Sequence, residues 1–138
     1  MKYMILTYAS QLDYDALAGK ATEEPAWSAA DFAALGEFMA SFNSDLAESG
    51  ELVETRALTA PVHTRRIRLQ GGGPVVTDGP YAETQEVLAG YWIVDCKSFD
   101  RATEIAARLS QVPGPADVAA RAFADVRPIA ESQAELEL

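Results

Sequence analysis

Strand-like and helix-like runs alternate in this chain in the order β-α-β-hairpin-β-α-β, and that order restricts the fold more than any single motif. The best-signalled piece is the first long helix. Ser28 reads as its N-cap, with Asp31 three residues on in a capping box. Trp27 before the cap and Phe32 after it read as a hydrophobic staple. Phe32, Leu35, Phe38, Met39, Phe42 and Leu46 then recur at helical spacing, and Gly50 suits the position just past the end. Ser98 caps a second helix with Phe99, Ala102, Ile105, Ala106 and Leu109 on its apolar face, and Pro113-Gly114-Pro115 ends it.

The strands are read around these helices. Residues 2–9 are apolar on both faces, as in a central strand. Residues 10–27, with Asp13, Glu23, Glu24 and Pro25, read as a long loop or lid with room for a short helical turn. Residues 51–58 read as a strand, and residues 62–70 as another with His63, Arg65, Ile67 and Leu69 on one face. Gly71-Gly72-Gly73 turns that strand into residues 74–77, residues 88–96 are the most strand-like run, and residues 122–129 supply the last strand. This order predicts an α+β domain with a ferredoxin-like split βαβ sheet and both helices on one face. The bare face needs a cover, and a second copy is the simplest one, so a homodimer through facing sheets is expected. Residues 1–130 are expected to form one domain, followed by a frayed acidic tail over 131–138.

Composition narrows function by exclusion. The 138 residues are 49% hydrophobic and 23% charged, a globular balance. Net charge is −10, with 10 acids against 6 bases through Leu69 and 11 against 5 beyond it. Nucleic acids and anionic membranes are bound through Lys and Arg, so neither is an expected partner. The triplet Arg65-Arg66-Arg68 reads first as a solvated strand face. No run is long enough for a membrane span and no leader is evident, so the cytoplasm is the expected location. Cys96, the single cysteine, excludes an internal disulfide and a multi-cysteine zinc site, and reads as a small buried hydrophobe. Phosphate loops, dinucleotide fingerprints and nucleophile elbows are missing, so no cofactor is expected.

Polar residues with chemical potential gather around Thr77-Asp78-Gly79-Pro80-Tyr81. Asp78 is a candidate general base or acid at a strand end, or an anchor for the turn. Glu83 and Glu86 lie three apart and would share a face of a helical turn; there they could divide acid and base work, hold a divalent cation, or simply be solvated. Tyr81 could orient a substrate or plug the end of the sheet. His63, the one histidine, would make an acid–base dyad with Asp78 if both faced one cavity, and is otherwise structural. Tyr8 and Arg127 fall on strands that would be neighbours, and Arg127 is a candidate clamp for a substrate anion or a partner of one of the 21 acids.

The run Val76-Thr77-Asp78-Gly79-Pro80-Tyr81-Ala82-Glu83-Thr84-Gln85-Glu86, followed by Gly90-Tyr91, resembles the signature of the DGPF-domain group of YCII-related proteins. The opening Met1-Lys2-Tyr3-Met4, the Ile105-Ala106-Ala107 helix and the closing Val126-Arg127-Pro128-Ile129 fit as well. The resemblance implies a ferredoxin-like fold of the dimeric α/β-barrel type and a genetic link, in many members, to alternative sigma factors. Related YCII-type proteins look like small enzymes with a His–Asp pair. His63 does not match the position of that histidine, and Tyr81 and Gln85 replace the usual Phe and Lys. Two functions are therefore carried forward: a small-molecule enzyme with Asp78, Glu83 and His63 as catalytic groups and Tyr8, Tyr81 and Arg127 at the substrate, or a non-catalytic dimeric ligand-binding or regulatory module. A structural dimer element, with the motif as turn chemistry alone, is the third.

Overall fold

The computed structural model describes residues 1–20 and 26–137. Its elements are β1 (Lys2–Ala9), α1 (Gln11–Leu17), α2 (Ala29–Glu48), β2 (Leu52–Ala57), β3 (Arg65–Gln70), β4 (Gly73–Asp78), β5 (Val87–Asp95), α3 (Phe99–Leu109), α4 (Ala116–Arg121), β6 (Ala124–Pro128) and α5 (Gln133–Leu136). Four strands make one antiparallel sheet in the order β2-β5-β1-β6, while β3 and β4 pair only with each other. The long helices α2 and α3 each join two strands that have another strand between them. This is an α+β fold consistent with the ferredoxin-like plan, and among the described residues the sheet does not close into a barrel. No described helix is long and apolar enough to cross a membrane.

Helix α2 forms as its end signals require. Ser28 accepts from the Asp31 amide while Asp31 accepts from the Ser28 amide, which satisfies two donors that a helix start leaves open. Trp27 and Phe32 meet with ring centroids 5.6 Å apart. At the other end Gly50 takes a φ of +77°, and the Gly50 and Glu51 amides close onto the Ala47 and Leu46 carbonyls. The buried stripe Phe42 and Leu46 then meets Ala102, Ile105, Ala106 and Leu109 of α3 over Tyr3, Ile5, Trp92 and Val94 of the sheet. Phe42 stands edge-on to Trp92 at 5.6 Å, and Trp92 Nε1 donates to Asn43 Oδ1, so the indole is buried with its donor satisfied. Cys96 is buried beside this core.

Several local expectations change. Residues 11–17 are a true helix, because Ser10 and Asp13 form a second capping box that the loop reading overlooked. Glu23, Glu24 and Pro25 lie outside the described residues. His63 is not on a strand face: Pro61–His63 form one turn of 3-10 helix, for which Pro61 supplies the fixed first φ, and β3 begins only at Arg65. Glu83 and Glu86 lie in a turn and loop, since Pro80 and the short span before β5 leave no room for a helix. After Pro113-Gly114-Pro115 the chain forms α4 before its last strand. The chain end is not wholly frayed either, as Ser132 caps α5.

Register separates the two sheet faces. Met4 faces Ile93 and Arg127, Leu6 faces Tyr91 and Asp125, and Ile93 and Tyr91 face Glu54 and Arg56 across β2. These residues alternate with the buried Tyr3, Ile5, Trp92 and Val94, so they occupy the face away from α2 and α3. Met4, Leu6, Tyr91 and Ile93 are only half-buried there.

Candidate functional site

The Asp-Gly-Pro corner ends the β3–β4 hairpin, and it lies open to solvent. Asp78 is the last residue of β4, its side chain 80% exposed and 3.4 Å from Arg65 Nε across the ladder. Thr64 O accepts from the Gly79 amide at 2.8 Å, which brings the His63 turn to the same hairpin base. No hydrogen bond among the described residues joins His63 to Asp78, and both are exposed. Tyr81 is half-buried beneath the Arg66 guanidinium, 5.2 Å from its ring centre, so this ring supports the hairpin's basic face. Glu83 is exposed, and its backbone oxygen, not its carboxylate, accepts from the Leu12 amide at 3.1 Å. Arg127 is exposed on the sheet face away from the long helices.

Helix α1 ties this corner to the body. Tyr14 donates to Leu58 O at 2.8 Å, and Gln11 Oε1 accepts from the Val62 amide at 2.9 Å. Burial raises the Tyr14 hydroxyl above its ordinary range. Gln11, Leu12 and Tyr14 thus hold the hairpin base. Asp13, Ala16 and Leu17 of the same helix instead line a cavity of about 190 Å³.

That cavity lies between α1, the end of β1 and helices α2, α3 and α4, and its wall is mostly apolar. Trp92 and Leu109 extend into it from the core, Met39 from α2, and Trp27 from just before α2. Trp27 is fixed by Phe32 and by Gly114, where a Cβ would come within 3.0 Å of the indole. Tyr8 and Phe123 close one side as a stacked pair 5.3 Å apart. Burial, and then the nearby Asp125 carboxylate, push the Tyr8 hydroxyl above its ordinary range. For scale, an apolar cavity of roughly 150 Å³ takes a benzene molecule.

Among the described residues, three charged groups complete the wall. Arg121 Nη2 lies 3.4 Å from Asp13 Oδ1, and Arg121 Nη1 lies 3.8 Å from Glu86 Oε1. Asp13 is mostly covered and its other oxygen accepts from the Ser10 amide at 2.8 Å; Arg121 and Glu86 are over a third exposed and so mark the opening. Of the residues singled out in the sequence, Tyr8 reaches this cavity, as does Glu86 of the proposed carboxylate pair. Asp78, Glu83, His63, Tyr81 and Arg127 are not in its wall. Trp92 and Arg121 carried no site motif, and Asp13 carried only the Ser10–Asp13 capping-box pattern, which points to a helix start and not to a pocket. The nearest signal was Arg121, a lone cation in an alanine-rich stretch.

Fold and cavity together define a small α+β module with an apolar pocket lined at its exposed edge by Asp13, Arg121 and Glu86. The family comparison agrees in scale: the YCII-related domain matches residues 1–124, and the chain belongs to that family. An uncharacterized protein of Rhizobium meliloti (strain 1021) is 32% identical over 85 residues, covering 62% of this chain and 68% of the relative.

Proposed function

We propose that this YCII-related protein, of the DGPF group by its Thr77–Glu86 signature, binds a small, largely apolar molecule in the cavity behind α1. The observation that carries this reading is the cavity itself: about 190 Å³, walled by Trp27, Trp92, Met39 and Phe123, with a minority of polar groups in its lining. Acid–base chemistry at Asp78 is the weaker reading, because a carboxylate 80% exposed has no wall to exclude water or hold a substrate. The test is toluene titrated into the ¹⁵N-labelled protein. The chain has two tryptophans, and both line the cavity. Saturable shifts of both indole N–H signals are expected, and Val118→Trp, which fills the space, should remove them. Unmoved indole signals at millimolar toluene overturn the reading.

The proposed module is a homodimer. Its support is the sheet face bearing half-buried Met4, Leu6, Tyr91 and Ile93, which no long helix covers. Light scattering at micromolar concentration should return twice the 14.8 kDa chain mass, and a monomer ends this part of the proposal.

A further inference from the structure

The mouth of the cavity is asymmetric in its spare bonding capacity, and that asymmetry bears on ligand charge. Arg121 spreads its two terminal nitrogens between Asp13 and Glu86. Asp13 is occupied at both oxygens, by Arg121 and by the Ser10 amide of its own helix cap. Glu86 differs. Its contact with Arg121 is 3.8 Å, beyond hydrogen-bond length, and its carboxylate accepts no hydrogen bond from any described residue. The group left with open capacity is therefore an acceptor, with formal charge −1 over the three residues.

Building on the cavity reading above, we infer that the ligand is a small ring-bearing amine. Its ring lies among Trp92, Met39 and Phe123, and its ammonium group donates to Glu86 at the mouth. A carboxylate head would have to take Arg121 from Asp13 while facing two like charges. An ammonium meets an exposed carboxylate whose contact with Arg121 is a long 3.8 Å and keeps part of its hydration, so its desolvation cost stays small. The whole chain, at −10, adds a field that concentrates cations and repels anions. The apolar wall holds the ring, and Glu86 selects the charge.

Three probes of one shape separate these contributions: phenethylamine, 2-phenylethanol and phenylacetate, titrated at pH 7 and followed by calorimetry. Phenethylamine is expected to bind about tenfold more tightly than phenylacetate, with 2-phenylethanol between them. Glu86→Gln should collapse that ratio towards one. Glu48→Gln, an equal charge change on the exposed end of α2, should preserve it. Phenylacetate binding as tightly as phenethylamine overturns the inference, and so does a ratio that survives in Glu86→Gln. If 2-phenylethanol binds without any charge preference, the cavity stands and the amine falls. If none of the three binds, both fall.

Discussion

The Asp-Gly-Pro corner and the cavity behind α1 lie on opposite sides of one short helix, yet they are built from opposite materials. The corner gathers Arg65, Asp78, Glu83 and His63 within one hairpin and its flanking turns, and leaves them in water. The cavity gathers mostly apolar groups from widely separated segments, and Arg121 and Glu86 stand at its exposed edge. A dense run of polar residues is what an exposed turn needs, because the backbone there wants Asp, Gly and Pro whatever the function. Enclosure needs residues that avoid water. In this molecule motif density and enclosure therefore point to different places, and α1 joins them through Gln11 and Tyr14 on one side and Asp13 and Leu17 on the other.

The largest expected effect tests the enclosed side. Trp92→Ala removes a wall shared by cavity and core and should cost about 3–5 kcal/mol, seen as a lower urea midpoint with little change in slope. A loss below about 1 kcal/mol would mean that the core closes over the gap and the wall is not rigid. Next comes the backbone of the corner. Gly79 holds a φ of +54°, so Gly79→Ala should cost about 1–2 kcal/mol by the strain of that conformation alone. No loss in thermal denaturation would show that the corner relaxes freely.

Two ion pairs sharpen the same contrast. Arg101 donates Nε to Glu51 Oε2 at 2.9 Å and Nη2 to Glu51 Oε1 at 2.8 Å, a bidentate pair with Glu51 largely covered. These bonds hold the Glu51 carboxyl below its ordinary range, outweighing the burial that would raise it. Glu51→Gln should cost about 1 kcal/mol at neutral pH. A depressed folded value means that the contribution is present above the unfolded value of about 4.3 and is lost as pH falls through the folded one. The gap between the denaturation curves of wild type and variant should therefore narrow as pH falls below the unfolded value, and a gap that is unchanged or widens with acidification contradicts the assignment. The smallest effect belongs to Asp78→Asn, where a single exposed contact to Arg65 should be worth within about 0.5 kcal/mol. A loss matching Gly79→Ala would instead make Asp78 a structural anchor of the corner.

Much of the fold could be read locally. The Ser28 cap, the Trp27–Phe32 staple and the Gly50 terminus are contacts between residues a few positions apart, and each forms as expected. The hairpin turn and the α3 cap follow the same logic. The misreadings also have local causes. The Ser10–Asp13 box was present but sat in an acidic, alanine-rich segment without a long apolar stripe, and Pro61 diverted His63 from the strand that its alternation suggested. For the candidate site, Tyr8 and Glu86 were visible as interesting residues and their destination was not.

What the sequence determined on its own is the two long helices, the order of the main strands around them, the acidic character, and membership of a family whose pattern spans most of the chain. Those properties depend on neighbours within a turn or two, or on composition. Which polar groups are exposed, and which apolar ones enclose a space, was decided only in three dimensions. Burial depends on residues such as Asp13, Met39, Trp92 and Arg121 arriving from different elements at one place. No spacing along the chain records that meeting, because the sheet order that produces it pairs strands far apart in sequence.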